Sequence, residues 1–268
     1  MELCWPTLRQ VGFVDLVNLA AANGFSAIAV SCDLCRRAVV GLPDLRRSLD
    51  DAGVRVTYVD GLPGALAGIP ASVGWSQQEV FDVASALGAE RLNVAHFGGD
   101  PATPIEVLGE GLAHAAERAA TQDLELMVEF IPGTGVPDLP SAVELVKTAG
   151  VSGVGILLDS WHLYRSGGSP SLLAGEAVQL VAGIQLADRR RSQDDEPYVP
   201  MTGRLLPGEG DLPLAEVLAA VLGAHPRLPV GIEIFSEELL TMDPAEAATR
   251  AAASLRRTLD LLEERAAN

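Results

Sequence analysis

Four apolar segments in the second half of the chain each end on, or beside, an oxygen-bearing side chain. They are LMVEF with Glu129, GILLDS with Asp159, AGIQLAD with Gln185 and Asp188, and VGIEIF with Glu233. A charge does not leave water unpaired without heavy cost, so a single acid in such a place calls for an arginine or a capping role. Converging acids repel one another, and a shared divalent cation removes that repulsion. Glu129, Asp159, Gln185 and Glu233 are therefore the candidate metal ligands. All four donate oxygen, with no thiolate and no imidazole. A hard ion, Mn²⁺ or Mg²⁺, fits that set best, with Co²⁺ tolerated. The competing reading is local: each acid caps a helix or pairs with an arginine, as Asp159 followed by Ser160 would do well.

A centre of this kind suits proton abstraction next to a carbonyl. The cation stabilises the enediolate, and a nearby carboxylate takes the α-proton. Glu233 is the expected base and Glu129 the second. Geometry comes before basicity in that choice. Returning the proton to the other face epimerises the substrate, and returning it to the neighbouring carbon isomerises it. Expelling a β-hydroxyl instead dehydrates it. His162, three residues after Asp159, is expected to donate to an alkoxide or leaving hydroxyl, the alternative being a loop histidine beside a helix start. His96 closes NVAHF and is read either as substrate-binding or as a packed, hydrogen-bonded histidine. Trp5 is read as an apolar wall of the pocket or as ordinary core. His114 and His225 read as surface residues.

Eight short apolar runs supply the positions: 2–6, 26–31, 55–61, 91–97, 125–130, 154–160, 181–188 and 228–235. They are continuous rather than alternating, which predicts parallel strands buried on both faces. Amphipathic segments separate them. Ser76 with Glu79 has capping-box spacing, Gly24, Gly53 and Gly88 stand where helices should stop, and Asp243-Pro244 opens a long Ala-rich helix. Eight strands alternating with helices over 268 residues predict one (β/α)8 barrel, a single α/β domain spanning 1–268. A doubly wound sheet would show a glycine-rich phosphate turn after its first strand, and PTLRQVGF is not one. In a barrel the strand C-termini share one face, which brings the four segments together.

With those positions in place, the ordered set VEF (128–130), LLDSWH (157–162), IQLAD (184–188), PGEGDLPL (207–214) and IEIF (232–235) resembles the xylose isomerase-like TIM barrels of the sugar isomerase/epimerase superfamily. The order and spacing are similar to inosose isomerase-like and hydroxypyruvate isomerase-like members. The resemblance implies a metal on Glu129, Asp159, Gln185 and Glu233, and proton transfer by Glu129 and Glu233 on opposite faces of the substrate. It implies His162 near a substrate oxygen and Arg191 near the substrate. Many members carry histidine where this chain has Gln185. Glutamine there resembles hydroxypyruvate isomerase-like and dehydroshikimate dehydratase-like members, so a dehydroshikimate- or inosose-type dehydratase is the alternative activity. IPGTGV follows the strand 5 glutamate where some ketose epimerases place another acid.

The formal charge of −17 repels phosphate backbones and anionic lipid, which disfavours nucleic acid and membrane partners. Four histidines do not suit the zinc cluster of the apurinic endonucleases in the same superfamily. No apolar run reaches the ~18–20 residues of a membrane span, and MELCWPTLRQ does not read as a secretory signal, so a cytoplasmic protein is expected. Cys32 and Cys35 form a CxxC with no second pair to complete a zinc site. The long segment after strand 7 carries Arg189, Arg190, Arg191 and Arg204. These suit an anionic or polyhydroxylated substrate under a lid, or salt bridges to Asp194, Asp195 and Glu196. The expected partner is a small polyhydroxylated or keto compound, and a homo-oligomer is compatible with the sequence. A non-catalytic barrel that binds metal or sugar is the remaining class.

Overall fold

The computed structural model describes residues 1–69, 74–191, 197–199 and 201–267, with side chains to residue 262. The expected acids Asp194, Asp195 and Glu196 lie outside the described residues. Eight parallel strands close into a barrel in sequence order: β1 (Glu2–Cys4), β2 (Ala27–Ser31), β3 (Arg55–Asp60), β4 (Arg91–Ala95), β5 (Glu125–Glu129), β6 (Val154–Asp159), β7 (Val181–Leu186) and β8 (Val230–Ile232). Every predicted run contains a strand. The observed strands mostly stop short of the predicted C-terminal limits, because the chain there turns outward into the loops that build the barrel mouth.

Local chemistry sets the helices around the barrel. Ser76 and Glu79 form the predicted capping box on helix Gln77–Leu87, which ends at Gly88 with φ 68°. Asp243 accepts from the backbone N–H groups of Ala245 and Glu246 and so opens the last helix, Pro244–Ala267. No described helix is long and apolar enough to cross a membrane. Short helices follow β2, β6 and β8, at Cys32–Arg36, Ser160–Arg165 and Glu237–Thr241; of these the sequence reading weighed only the second, through Asp159 as its cap. They matter because two of them start at the barrel mouth on a polar strand-end residue.

One core fills the shell between helices and sheet. A second lies inside the barrel and comprises Cys4, Ala29, Tyr58, Met127 and Leu157. Interior packing explains two strand glycines. A Cβ on Gly183 would lie 2.8 Å from both Leu157 Cδ1 and Met127 Sδ, and one on Gly231 would lie 2.9 Å from Glu2 Oε1. Register then aligns the polar positions: Asp159 on β6 pairs with Gln185 on β7, and Ala95 on β4 with Glu129 on β5. Cys4, Cys32 and Cys35 are buried free thiols. Burial pushes Cys32 and Cys35 up to about 12, so the CxxC is held as unreactive thiol at neutral pH.

Candidate metal centre and active site

Glu129 is the last residue of β5, Asp159 the last of β6, Gln185 the fifth residue of β7, and Glu233 follows β8 directly. All four are buried, from 0% exposed at Asp159 to 8% at Glu129. Asp159 meets both parts of the local reading weighed from sequence, a helix cap with one oxygen and an arginine pair with the other. Oδ1 accepts from the backbone N–H of Trp161 at 2.6 Å and of His162 at 3.2 Å, capping helix Ser160–Arg165. Oδ2 faces the site and accepts from Arg204 Nη1 at 2.5 Å. Glu129 Oε2 accepts from Asn93 Nδ2 at 2.7 Å, and the same amide donates to Asp60 Oδ1 at 2.9 Å. Asn93 thus joins two acids on different strands through one amide.

Gln185 is oriented from both sides. Its Nε2 donates to the Tyr58 hydroxyl at 2.7 Å and to Glu233 Oε1 at 2.8 Å. A carboxylate only accepts, so the amide nitrogen belongs on that side. Gln185 Oε1 is left buried with no hydrogen-bond partner. Arg204 Nη1 also donates to Glu233 Oε2 at 3.1 Å, and its guanidinium lies over Trp161 and Phe235, 5.1 and 5.3 Å from the ring centroids. His162 Nε2 accepts from Arg204 Nη2 at 3.3 Å and lies 3.4 Å from Glu129 Oε1.

The electrostatics follow from this packing. Burial pushes Asp159 up, but the Arg204 guanidinium and His162 more than reverse it, and the carboxyl is held below its ordinary value. Burial pushes Glu233 well above the usual carboxylate range; Arg204 opposes that, while Glu129 and Asp159 reinforce it. Burial, then repulsion from Glu129, lifts Asp60 to about 6. The cluster is short of positive charge, and Arg204 supplies only one.

A divalent cation fits this donor set. Oxygen or nitrogen atoms of Glu129, Asp159 and His162 lie within 4.8 Å of one another. The unpartnered Gln185 Oε1 is a neutral oxygen donor in the same buried cluster, and Glu233 adds a third carboxylate. The expected ligand set omitted His162, which the barrel places between Glu129 and Asp159.

Above the centre lies a cavity of about 430 Å³. Glu129, His162, Arg204 and Glu233 supply its polar floor, while Trp5, Trp75, Phe97, Tyr198 and Phe235 supply apolar walls. Trp5 therefore stands on the cavity wall, on the 3-10 turn after β1. Two expected substrate contacts lie elsewhere. His96 is fully buried, and both ring nitrogens engage backbone, with Ala67 O at 2.8 Å and the Gly135 N–H at 3.0 Å. It is the packed histidine of the two readings. Arg191 is exposed, and its backbone N–H donates to Asp211. The arginine in the cavity is Arg204, because the loop doubles back at the Asp188–Leu205 bridge. Asp188 is no ligand either: its oxygens accept from the backbone N–H groups of Arg189, Gly208, Gly210 and Leu212. Sequence reasoning missed Asp60, Asn93 and Tyr58. Their signal was a polar residue inside or ending an apolar run, as in RVTYVDG and RLNVAHF, which is the same signal used in the later strands.

Residues 17–259 match the family described as xylose isomerase-like TIM barrel. Among curated proteins, the chain is similar to a 3-dehydroshikimate dehydratase of Pseudomonas aeruginosa, 30% identical over 159 residues. That alignment covers 59% of this chain and about a quarter of the relative's length. Among solved structures, a xylose isomerase-like TIM barrel/4-hydroxyphenylpyruvate dioxygenase fusion protein superposes with TM-score 0.80 at 20% identity, covering 98% of this chain and 43% of that one. The IOLI protein, solved with a zinc atom bound, superposes with TM-score 0.79 at 18% identity, covering 98% and 99%.

Proposed function

The chain belongs to the xylose isomerase-like TIM-barrel family, and on that premise we propose that it is a divalent-metal-dependent isomerase or epimerase of a sugar, inosose or related α-hydroxycarbonyl compound. The observation that carries the reading is that Glu129 and Glu233, on β5 and after β8, open from separated strands of the ring into one cavity. Two carboxylates that reach one substrate from different sides are what proton removal and return require.

Glu129, Asp159, Gln185 and Glu233 would hold the cation, with His162 alongside, and Mn²⁺ or Mg²⁺ suits the carboxylate-rich set. Bound there, the ion polarises the substrate carbonyl and offsets charge that develops on its oxygen. The chain's own residues do the rest. Glu233 takes the α-proton; burial pushes its carboxyl above the usual carboxylate range against the opposing pull of Arg204. Glu129, held by Asn93, returns a proton from its own side. His162 hydrogen-bonds a substrate oxygen, and the aromatic walls take the C–H faces of the substrate and exclude water.

A second reading, dehydration, is favoured by Gln185 together with the similarity to dehydroshikimate dehydratases. It shares the first proton transfer and differs in the departure of a β-hydroxyl. Single-carboxylate variants test the assignment, with deuterium exchange at the substrate α-carbon as the readout. Glu233→Gln should lose roughly 10²–10⁴-fold of the exchange rate while remaining folded. Glu129→Gln should keep part of the exchange but stop epimerisation. Undiminished turnover by Glu233→Gln would remove it as the base. Loss of water from the substrate without proton return would move the assignment to the lyase.

A further inference from the structure

We propose that the cavity selects an uncharged polyhydroxylated carbonyl compound and disfavours carboxylated or phosphorylated ones. The inference deepens the reading above and rests on it only for the kind of reaction. It separates this chain from the activity named for its 3-dehydroshikimate dehydratase relatives, whose substrate carries a carboxylate.

Asp33, Asp60, Glu129 and Glu233 line the cavity, and Asp159 lies beneath its floor. Among the described residues, Arg204 is the one basic side chain, other than His162, in the lining. It is already committed, donating to both Asp159 and Glu233. Asp33 is already neutralised by Arg36. With histidine counted neutral, the other four carboxylates face one guanidinium and at most one divalent cation, three positive charges against four negative.

Among the described residues, the other cations near the mouth lie outside the cavity lining. Arg36 stacks on Trp75, 4.4 Å from the ring centroid, and donates to Asp33 at 2.6 Å, outside the lining. Arg9 pairs with Glu237. Arg165 lies over Trp161 and Tyr198, and Arg190 and Arg191 are exposed. The single lysine, Lys147, pairs with Glu176. Anion sites are built from arginine forks, free backbone N–H groups or helix N-termini. Two α-helix N-termini at the mouth are capped by side chains, and the 3-10 turn at Trp5–Leu8 carries Pro6, which has no N–H, in its first turn. Ser31 caps Cys32–Arg36 and Asp159 caps Ser160–Arg165.

What remains in the lining suits a neutral ring or chain. Carboxylates accept from hydroxyls, and Trp5, Trp75 and Phe235 offer apolar faces. A like charge near Asp60 meets repulsion in a partly dry pocket, where it is weakly screened.

Matched pairs test this by calorimetry on Mn²⁺-loaded protein at pH 8 and low salt. One pair is a ketohexose and its 6-phosphate. The other is an inosose and 3-dehydroshikimate, a carboxylated ring ketone of similar size. The neutral member of each pair should bind about tenfold or more tighter, with the gap narrowing as salt is raised. Asp60→Asn should recover about tenfold for the charged member alone. Equal or tighter binding of the charged members overturns the proposal, as does binding of neither member. Deuterium exchange measured on the same samples separates the two readings. Neutral preference without exchange leaves charge selection standing and removes the enolisation reading.

Discussion

Asp159 shows how much one residue carries. Its Oδ1 closes the N-terminus of a helix while Oδ2 pairs with Arg204 in the charged centre, so the capping reading of LLDSWH holds and the proposed ligand role rests on Oδ2. Composition and periodicity mark such an acid as anomalous but do not divide its oxygens; that needs the register of β6 against β7. Gln185 is the converse case. Its type was legible, yet what directs it is Tyr58, a residue of the barrel interior with no motif around it. The hydroxyl holds Nε2 and leaves Oε1 buried without a hydrogen-bond partner. Groups that orient a ligand typically contribute 10–100-fold to metal affinity. Tyr58→Phe should therefore weaken Mn²⁺ binding by about that factor in a chelator competition, with the circular dichroism spectrum unchanged. Unaltered affinity would make Tyr58 a packing residue only.

At the scale of elements, the strands were legible because parallel strands buried on both faces read as unbroken apolar runs. Their polar endings located the mouth. The loop after β7 was not legible in the same way. The resemblance suggested Arg191 and the charge of the loop suggested Arg204 with it; of the two, the fold brings Arg204 into the cavity, 18 residues beyond Leu186. The device that does this is Asp188, whose carboxylate gathers four backbone N–H groups and anchors both ends of the loop. Asp188→Ala would leave those donors to water or unpaired, at a cost of about 3 kcal/mol in unfolding free energy. Because Arg204 rides on that loop, the substrate KM should also rise. A variant of unchanged stability and unchanged KM would show that the loop is held by other contacts.

Across the whole molecule, the barrel carries buried acids at both ends. Glu2, at the base, is lifted to about 7, by burial above all. An unfolded glutamate titrates near ~4.3. Since the folded value is the higher one, its contribution is most favourable at low pH and is lost as pH rises through about 7. Glu2→Gln should match the parent protein near pH 4 and become more stable by roughly 3 kcal/mol above pH 8. Parallel stability curves for the two proteins would refute the buried ionisation. The acids at the other end are tolerated for a different reason. Glu129, Asp159 and Glu233 surround a place that one arginine only partly neutralises, and in the proposed function a divalent cation there would supply the remaining positive charge. The most direct test follows deuterium from solvent into the α-carbon of a neutral α-hydroxycarbonyl substrate, first with chelator-stripped protein and then during Mn²⁺ titration. Exchange should be absent in the stripped protein and reach its plateau at one ion per chain. Exchange that persists without metal, or that stays absent at full occupancy for every such substrate, would contradict the account.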